Sequence, residues 1–244
     1  MVSDMENICV ITVDIKGSRM INNRLRLQRD LLKVLDAINE EFKDDLLAPF
    51  IITLGDECQG AFKSPRRAYD VILRFGKGLN ISFYCGIGLG SLETSRSDKV
   101  TDMDGPAFHR SRDALELAEK QTKGMEVSIV AISGNVYLDD LLNVLLNVCL
   151  TIRNNWTDRQ RQIAQYLEEN PATTYEETAQ RFHVTKQAVS KVLKAARWST
   201  LEDVERIVRS LLKEELIINH PGTINPPGLT LQSQLKKVDK KPVT

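Results

Sequence analysis

Histidine is scarce in this chain and cysteine is thinly spread. Three histidines, His109, His183 and His220, occur in 244 residues, two of them toward the C-terminus, which argues against a histidine-rich zinc site. The four cysteines (Cys9, Cys58, Cys85, Cys149) stand far apart, mostly in apolar runs, with no CxxC pair. They read as buried free thiols rather than as disulfides or zinc ligands. No apolar run approaches the length that crosses a bilayer, and the first residues lack the basic start of a signal peptide, so a cytoplasmic protein without a membrane partner is expected. Net charge is also missing. With 33 basic and 33 acidic residues the formal sum is zero, and any nucleic-acid surface has to come from a local excess of base.

What is present fits a globular protein, with 42% hydrophobic and 27% charged residues. The length suits one large domain, or a core with a small accessory domain. The stretch Val10-Ile11-Thr12-Val13-Asp14-Ile15-Lys16-Gly17-Ser18-Arg19 reads as a buried strand ending in a carboxylate, then a small-residue turn before a helical pattern. A carboxylate beside a turn at a helix start can hold a metal and a phosphate. Gly17 and Ser18 would let phosphate approach backbone N–H groups, and Arg19 would add charge. A second acidic residue, Asp56, stands in Gly55-Asp56-Glu57 between two short apolar runs, a hairpin pattern. The plain alternative for each aspartate is structural, since a strand-end Asp often caps a helix and Gly-Asp is an ordinary turn pair.

Hydrophobic spacing over the first 134 residues gives the order β-α-β-β-α-β-α-β. A hairpin inside an alternating pattern predicts an α+β domain with a ferredoxin-like, mixed sheet and helices on one face. Residues 135–155 form a leucine-rich connecting helix, apolar on more faces than one domain surface needs. It is either buried between two domains or paired across a dimer.

Residues 156–218 read as an all-α helix-turn-helix domain. Thr173 or Thr174 caps a helix through Phe182, and the break His183-Val184-Thr185 leads to a helix over Lys186 to Trp198. Ala179, Val184, Val189 and Val192 supply the small residue at the crossing, the apolar turn residue and the inner face that the motif requires. His183 stands where glycine is common, and histidine tolerates a left-handed backbone better than most residues. Thr185, Lys186, Gln187, Ser190, Lys191, Lys194 and Arg197 form the expected DNA-binding set, the polar side chains toward base edges and the cations toward phosphates. A helical protein-interaction module is the alternative. Regulators of this kind bind paired half-sites as dimers, so a homodimer is expected. Residues 219–244, rich in Pro, Gly and Lys, read as a flexible tail.

Asp14-Ile15-Lys16-Gly17-Ser18, Gly55-Asp56-Glu57, Gly86-Ile87-Gly88-Leu89-Gly90 and Gly105-Pro106-Ala107-Phe108 follow the order and rough spacing of class III nucleotidyl cyclase domains, which residues 8–133 resemble. The whole chain resembles the SatD family of bacterial proteins. The cyclase likeness implies Asp14 and Asp56 as ligands of Mg²⁺ or Mn²⁺. It places a nucleotide against Gly17, Ser18, Arg19 and Gly55, with Arg110 or Arg112 reaching a phosphate. The chain departs from the family where adenine-selective cyclases carry a lysine, here Ile52. It also has His109, Arg110 and Arg112 without the asparagine of the family's transition-state pair. Because charge stabilisation is often the largest catalytic contribution, the preferred expectation is a regulator that senses a nucleotide or metal and binds DNA. A metal-dependent cyclase or nucleotidyltransferase using Asp14 and Asp56 is the alternative.

Overall fold

The computed structural model describes residues 7–18, 23–78, 82–121 and 127–213. The Arg19 position and the tail expected over 219–244 lie outside them. Five strands form one mixed sheet in the order β2-β3-β1-β4-β5. The strands are β1 (Asn7–Ile15), β2 (Leu46–Leu54), β3 (Glu57–Phe62), β4 (Phe83–Ser91) and β5 (Val127–Ile132). All neighbours are antiparallel except β4 and β5. Ile- and Val-rich β1 sits at the centre, buried on both faces, as its nearly unbroken apolar run requires.

Strand period assigns the two faces. Cys9, Ile11, Val13 and Ile15 join one core with Leu31, Leu35 and Ile38 of α1 (Arg24–Glu41) and Val71, Ile72 and Phe75 of α2 (Ala68–Gly78). Ile8 and Val10 point the other way, to Ala107 and Phe108 of α3 (Pro106–Gln121). The expectation of helices on one face is therefore corrected, because α3 covers the second face. Its seat is a glycine stripe on β4. A Cβ at Gly86 would lie 2.2 Å from the Ser111 carbonyl oxygen, and one at Gly88 would lie 2.0 Å from that of Ala107. Only glycine lets the helix backbone rest on the strand this closely.

Strand β2 runs through Pro49, which sequence reading treats as an interruption. Pro49 is exposed on the edge strand, between register shifts at Ala48 and Ile51, where a missing N–H breaks no ladder. The opposite edge is closed by α4 (Val136–Asn154). Asn143 accepts the Ala131 N–H at 2.7 Å and donates to its carbonyl at 2.9 Å, pairing groups that an edge would leave open.

Four more helices follow: α5 (Asp158–Glu169), α6 (Tyr175–Arg181), α7 (Lys186–Ala195) and α8 (Trp198–Lys213). Thr157 and Thr174 open α5 and α6 with reciprocal capping boxes. Ile163, Leu167, Ala179, Val189 and Leu193 make a local core under α5, α6 and α7. Leu201, Val208 and Leu212 of α8 belong instead to the core that holds α1, α2 and α4. Among the described residues no helix is long and apolar enough to cross a membrane.

Candidate functional site

Two places hold the residues singled out by sequence. The first is the end of β1 on the α3 side. Asp14 pairs in register with Glu57 of β3 and Tyr84 of β4, which sets all three on one face. Asp56 occupies the hairpin turn behind Gly55, whose φ of 65° is left-handed. Burial first, then the charges of Asp56, Glu119 and Glu57, push the Asp14 carboxyl up to about 6, opposed by a backbone hydrogen bond at Ile15. The two aspartates are thus close enough to repel, and Glu119 on α3 joins them. Sequence reading gives no role to Glu119, because nothing in a helical pattern announces which strand end a helix residue overhangs. Glu57 is already engaged. It is ion-paired with Arg112 and accepts a 2.8 Å hydrogen bond from Thr53.

Behind the carboxylates lies a directed polar chain. Gln59 donates to Thr12 Oγ1 at 2.9 Å, Thr12 lies 2.7 Å from Ser111 Oγ, and Ser111 donates to the Gly86 carbonyl at 3.1 Å. Each hydroxyl has one proton, so Thr12 is the donor to Ser111 and every link is satisfied. The chain pins β3, β1, α3 and β4 to one another beneath Asp14. Lys16 lies 4.2 Å over the Tyr84 ring, and burial lowers the pKa of its ammonium.

The residues expected to meet a phosphate are disposed as follows. Gly17 takes φ 63° with open space beside it, and Ser18 is buried. Helix α1 begins at Arg24, where Asn23 caps the Arg26 N–H at 3.0 Å. Gly17 and Ser18 precede Arg24 by several positions, and the intervening residues 19–22 lie outside the described ones. Arg110 points away from Asp14 and donates to the Leu89 carbonyl at 2.6 Å. Leu89 is five residues along β4 from Tyr84, roughly 17 Å. Arg112 reaches the Asp14 end but is paired with Glu57. The local electrostatics suit a divalent cation. The ligand set is short, since among the described residues no group of three or more His, Cys, Asp or Glu side chains is disposed to hold a metal.

The second place is α6, α7 and the turn between them. His183 adopts φ 53°, and the Val184 N–H reaches back to the Ala179 carbonyl at 3.0 Å. Ala179 and Val189 are buried where the helices cross. Thr185 caps the Ala188 N–H at 3.2 Å, so its hydroxyl is used within the helix start. Lys186, Gln187, Ser190, Lys191 and Lys194 are exposed along the outer side of α7, and Arg197 is exposed just beyond it at φ 54°. Among the described residues none of these cations has an ion-pair partner. At its end, α7 is tied down by a 2.8 Å hydrogen bond from the Trp156 indole to the Ala196 carbonyl.

No curated protein matches the chain. A family model described as the SatD family matches residues 8–201, well over half its length. With the sheet, α4 and the α6–α7 pair all inside that match, the chain belongs to the SatD family.

Proposed function

We propose that this chain is a DNA-binding regulator of transcription whose N-terminal region resembles a class III nucleotidyl cyclase domain and senses a nucleotide, a divalent cation, or both. The observation that carries the DNA reading is the outer side of α7. It presents Lys186, Gln187, Ser190, Lys191 and Lys194 to solvent while Val189 and Leu193 face the core. Phosphate contacts position such a helix and polar side chains read base edges. A cytoplasmic location and a two-fold dimer go with this reading. Fluorescence anisotropy with labelled duplex DNA at low and rising salt tests it. Binding that weakens steeply with salt supports it, and no binding at low salt removes it.

The order β2-β3-β1-β4, with antiparallel neighbours, supports a ferredoxin-like arrangement like that of cyclase domains. Asp14 and Asp56 would hold Mg²⁺ or Mn²⁺, which is commonly bound by one or two carboxylates with water and substrate phosphates completing the shell. A bound cation would offset the burial and the carboxylate repulsion that together raise Asp14.

Catalysis is the second reading, favoured by the same raised carboxylate. Weighing against it, Arg112 is occupied by Glu57 and Arg110 is turned to the Leu89 carbonyl. Transition-state charge on a triphosphate would need a cation released from one of these. Incubation with nucleoside triphosphates and Mn²⁺ separates the readings. Turnover lost in Asp14→Ala supports an enzyme, whereas thermal stabilisation without turnover supports a sensor.

A further inference from the structure

Helix α4 is apolar on two sides. Leu138, Leu142, Leu146, Cys149 and Leu150 face inward and are buried. On the other side Leu141 is 49%, Val144 57% and Val148 37% exposed, with Val136 and Tyr137 also exposed at the start of the helix. From Leu141 to Ile152 there is no charged residue. A helix that is apolar all round is normally a covered one.

Spacing and charge both identify the cover. Leu141, Val144 and Val148 are separated by three and four positions, the repeat with which helices pack along a seam. Of the ten large hydrophobic side chains exposed among the described residues, five lie on α4. No other described patch is dense enough to form the second half of a head-to-tail contact, so the patch meets itself, as two-fold interfaces do. A parallel pair would set Asp140 beside its own copy. An antiparallel pair sets it against uncharged Leu145 and aligns the helix dipoles favourably.

We infer that two copies of the chain associate through this side of α4, the helices antiparallel, with Leu141 of one copy opposite Val144 of the other. One helix of 19 residues presents less than the roughly 800 Å² per partner of a standard interface. The dimer is accordingly a reversible one.

Sedimentation equilibrium of the full chain over about 1–100 µM, which spans weak self-association, tests this. The expected result is a monomer–dimer equilibrium in the parent, and monomer throughout in Leu141→Glu and Val144→Glu. Both positions are exposed, so the circular-dichroism melt, taken at a concentration where the parent is monomeric, stays unchanged. Val144→Gln provides a milder variant if a glutamate alters the melt. Ile207→Glu, exposed on α8, retains the dimer. A parent that is monomeric throughout, or α4 variants that still dimerise, overturns the inference. Orientation is read from cysteine pairing. Chains carrying Leu141→Cys crosslink to chains carrying Val144→Cys, whereas crosslinking of Val148→Cys to itself, its two copies being about 16 Å apart along an antiparallel pair in this register, overturns the antiparallel arrangement. Failure to bind DNA leaves these outcomes untouched.

Discussion

The Tyr69 hydroxyl on α2 donates a 2.7 Å hydrogen bond to the Glu205 carboxylate on α8, 136 positions further along the chain. Arg153 of α4 meets the same carboxylate with Nε at 2.8 Å and Nη2 at 2.6 Å. Arg209 adds a contact at 3.3 Å, and Arg153 also holds Glu168 of α5 at 2.6 Å. Glu205 is buried, so its charge is tolerated only because these donors surround it.

Removing it leaves Arg153 with Glu168 as its one carboxylate and Tyr69 without its acceptor. Glu205→Ala is expected to lower the unfolding free energy by about 3 kcal/mol, and Tyr69→Phe by about 1.5 kcal/mol. Urea denaturation of both variants is the check, and a Glu205→Ala midpoint equal to that of the parent contradicts the account.

Asp14 gives the protein a pH signature. Its folded pKa, about 6, lies above the ordinary 3.8 of an aspartate. A raised acid contributes fully below the unfolded pKa, and the contribution disappears as pH rises through the folded one. Stability should therefore fall between about pH 4 and pH 6, by of order 1 kcal/mol once solvent screening is allowed for. Asp14→Asn should flatten that fall and melt higher than the parent at pH 7. Mg²⁺ or Mn²⁺ should raise the parent's melting temperature at pH 7 and leave Asp14→Asn unmoved. A parent that ignores both cations argues against a metal at this place.

Gly88 and Gly17 separate crowding from backbone strain. An added Cβ at Gly88 meets the Ala107 oxygen at 2.0 Å and the Ser111 nitrogen at 2.3 Å, both backbone atoms. Gly88→Ala should cost about 3 kcal/mol or more, because the helix has to lift off the sheet. At Gly17 nothing lies within 4 Å, and only the positive φ is unfavourable. Gly17→Ala should cost about 1–2 kcal/mol. Equal melting temperatures for the two variants would refute this distinction.

The proposed DNA contact divides the side chains of α7 by task. Lys191→Ala and Lys194→Ala should weaken DNA binding about equally on all sequences and reduce the salt slope by about one each. Gln187→Ala should leave the slope alone and relax sequence preference, with a loss of about 1–3 kcal/mol on the preferred site. Anisotropy titrations across a salt series on two unrelated duplexes measure both effects.

Periodicity was enough to read the alternation of strands and helices through β5. Other features are three-dimensional and leave no mark on spacing. The stripe Gly86, Gly88, Gly90 is visible as a motif, yet that it seats α3 on the second face follows only from the close approach of two backbones. Arg110 and Arg112 are two positions apart, and helix geometry sends them to different ends of β4. Glu119 reaches the Asp14 corner because α3 runs along the sheet, a direction its pattern does not encode. An amphipathic helix such as α8 declares that it has a partner without saying which one, and here the partner is the core of the other half.

That placement of α8 has a mechanical consequence. The helix that follows α7 is sunk among α2 and α4, so the lysine-bearing helix is cantilevered from the sheet and does not swing on a tether. Moving α7 relative to the strand ends has to tilt the whole assembly or break the Glu205 cluster, and a cut between the halves would leave each with a raw apolar wound.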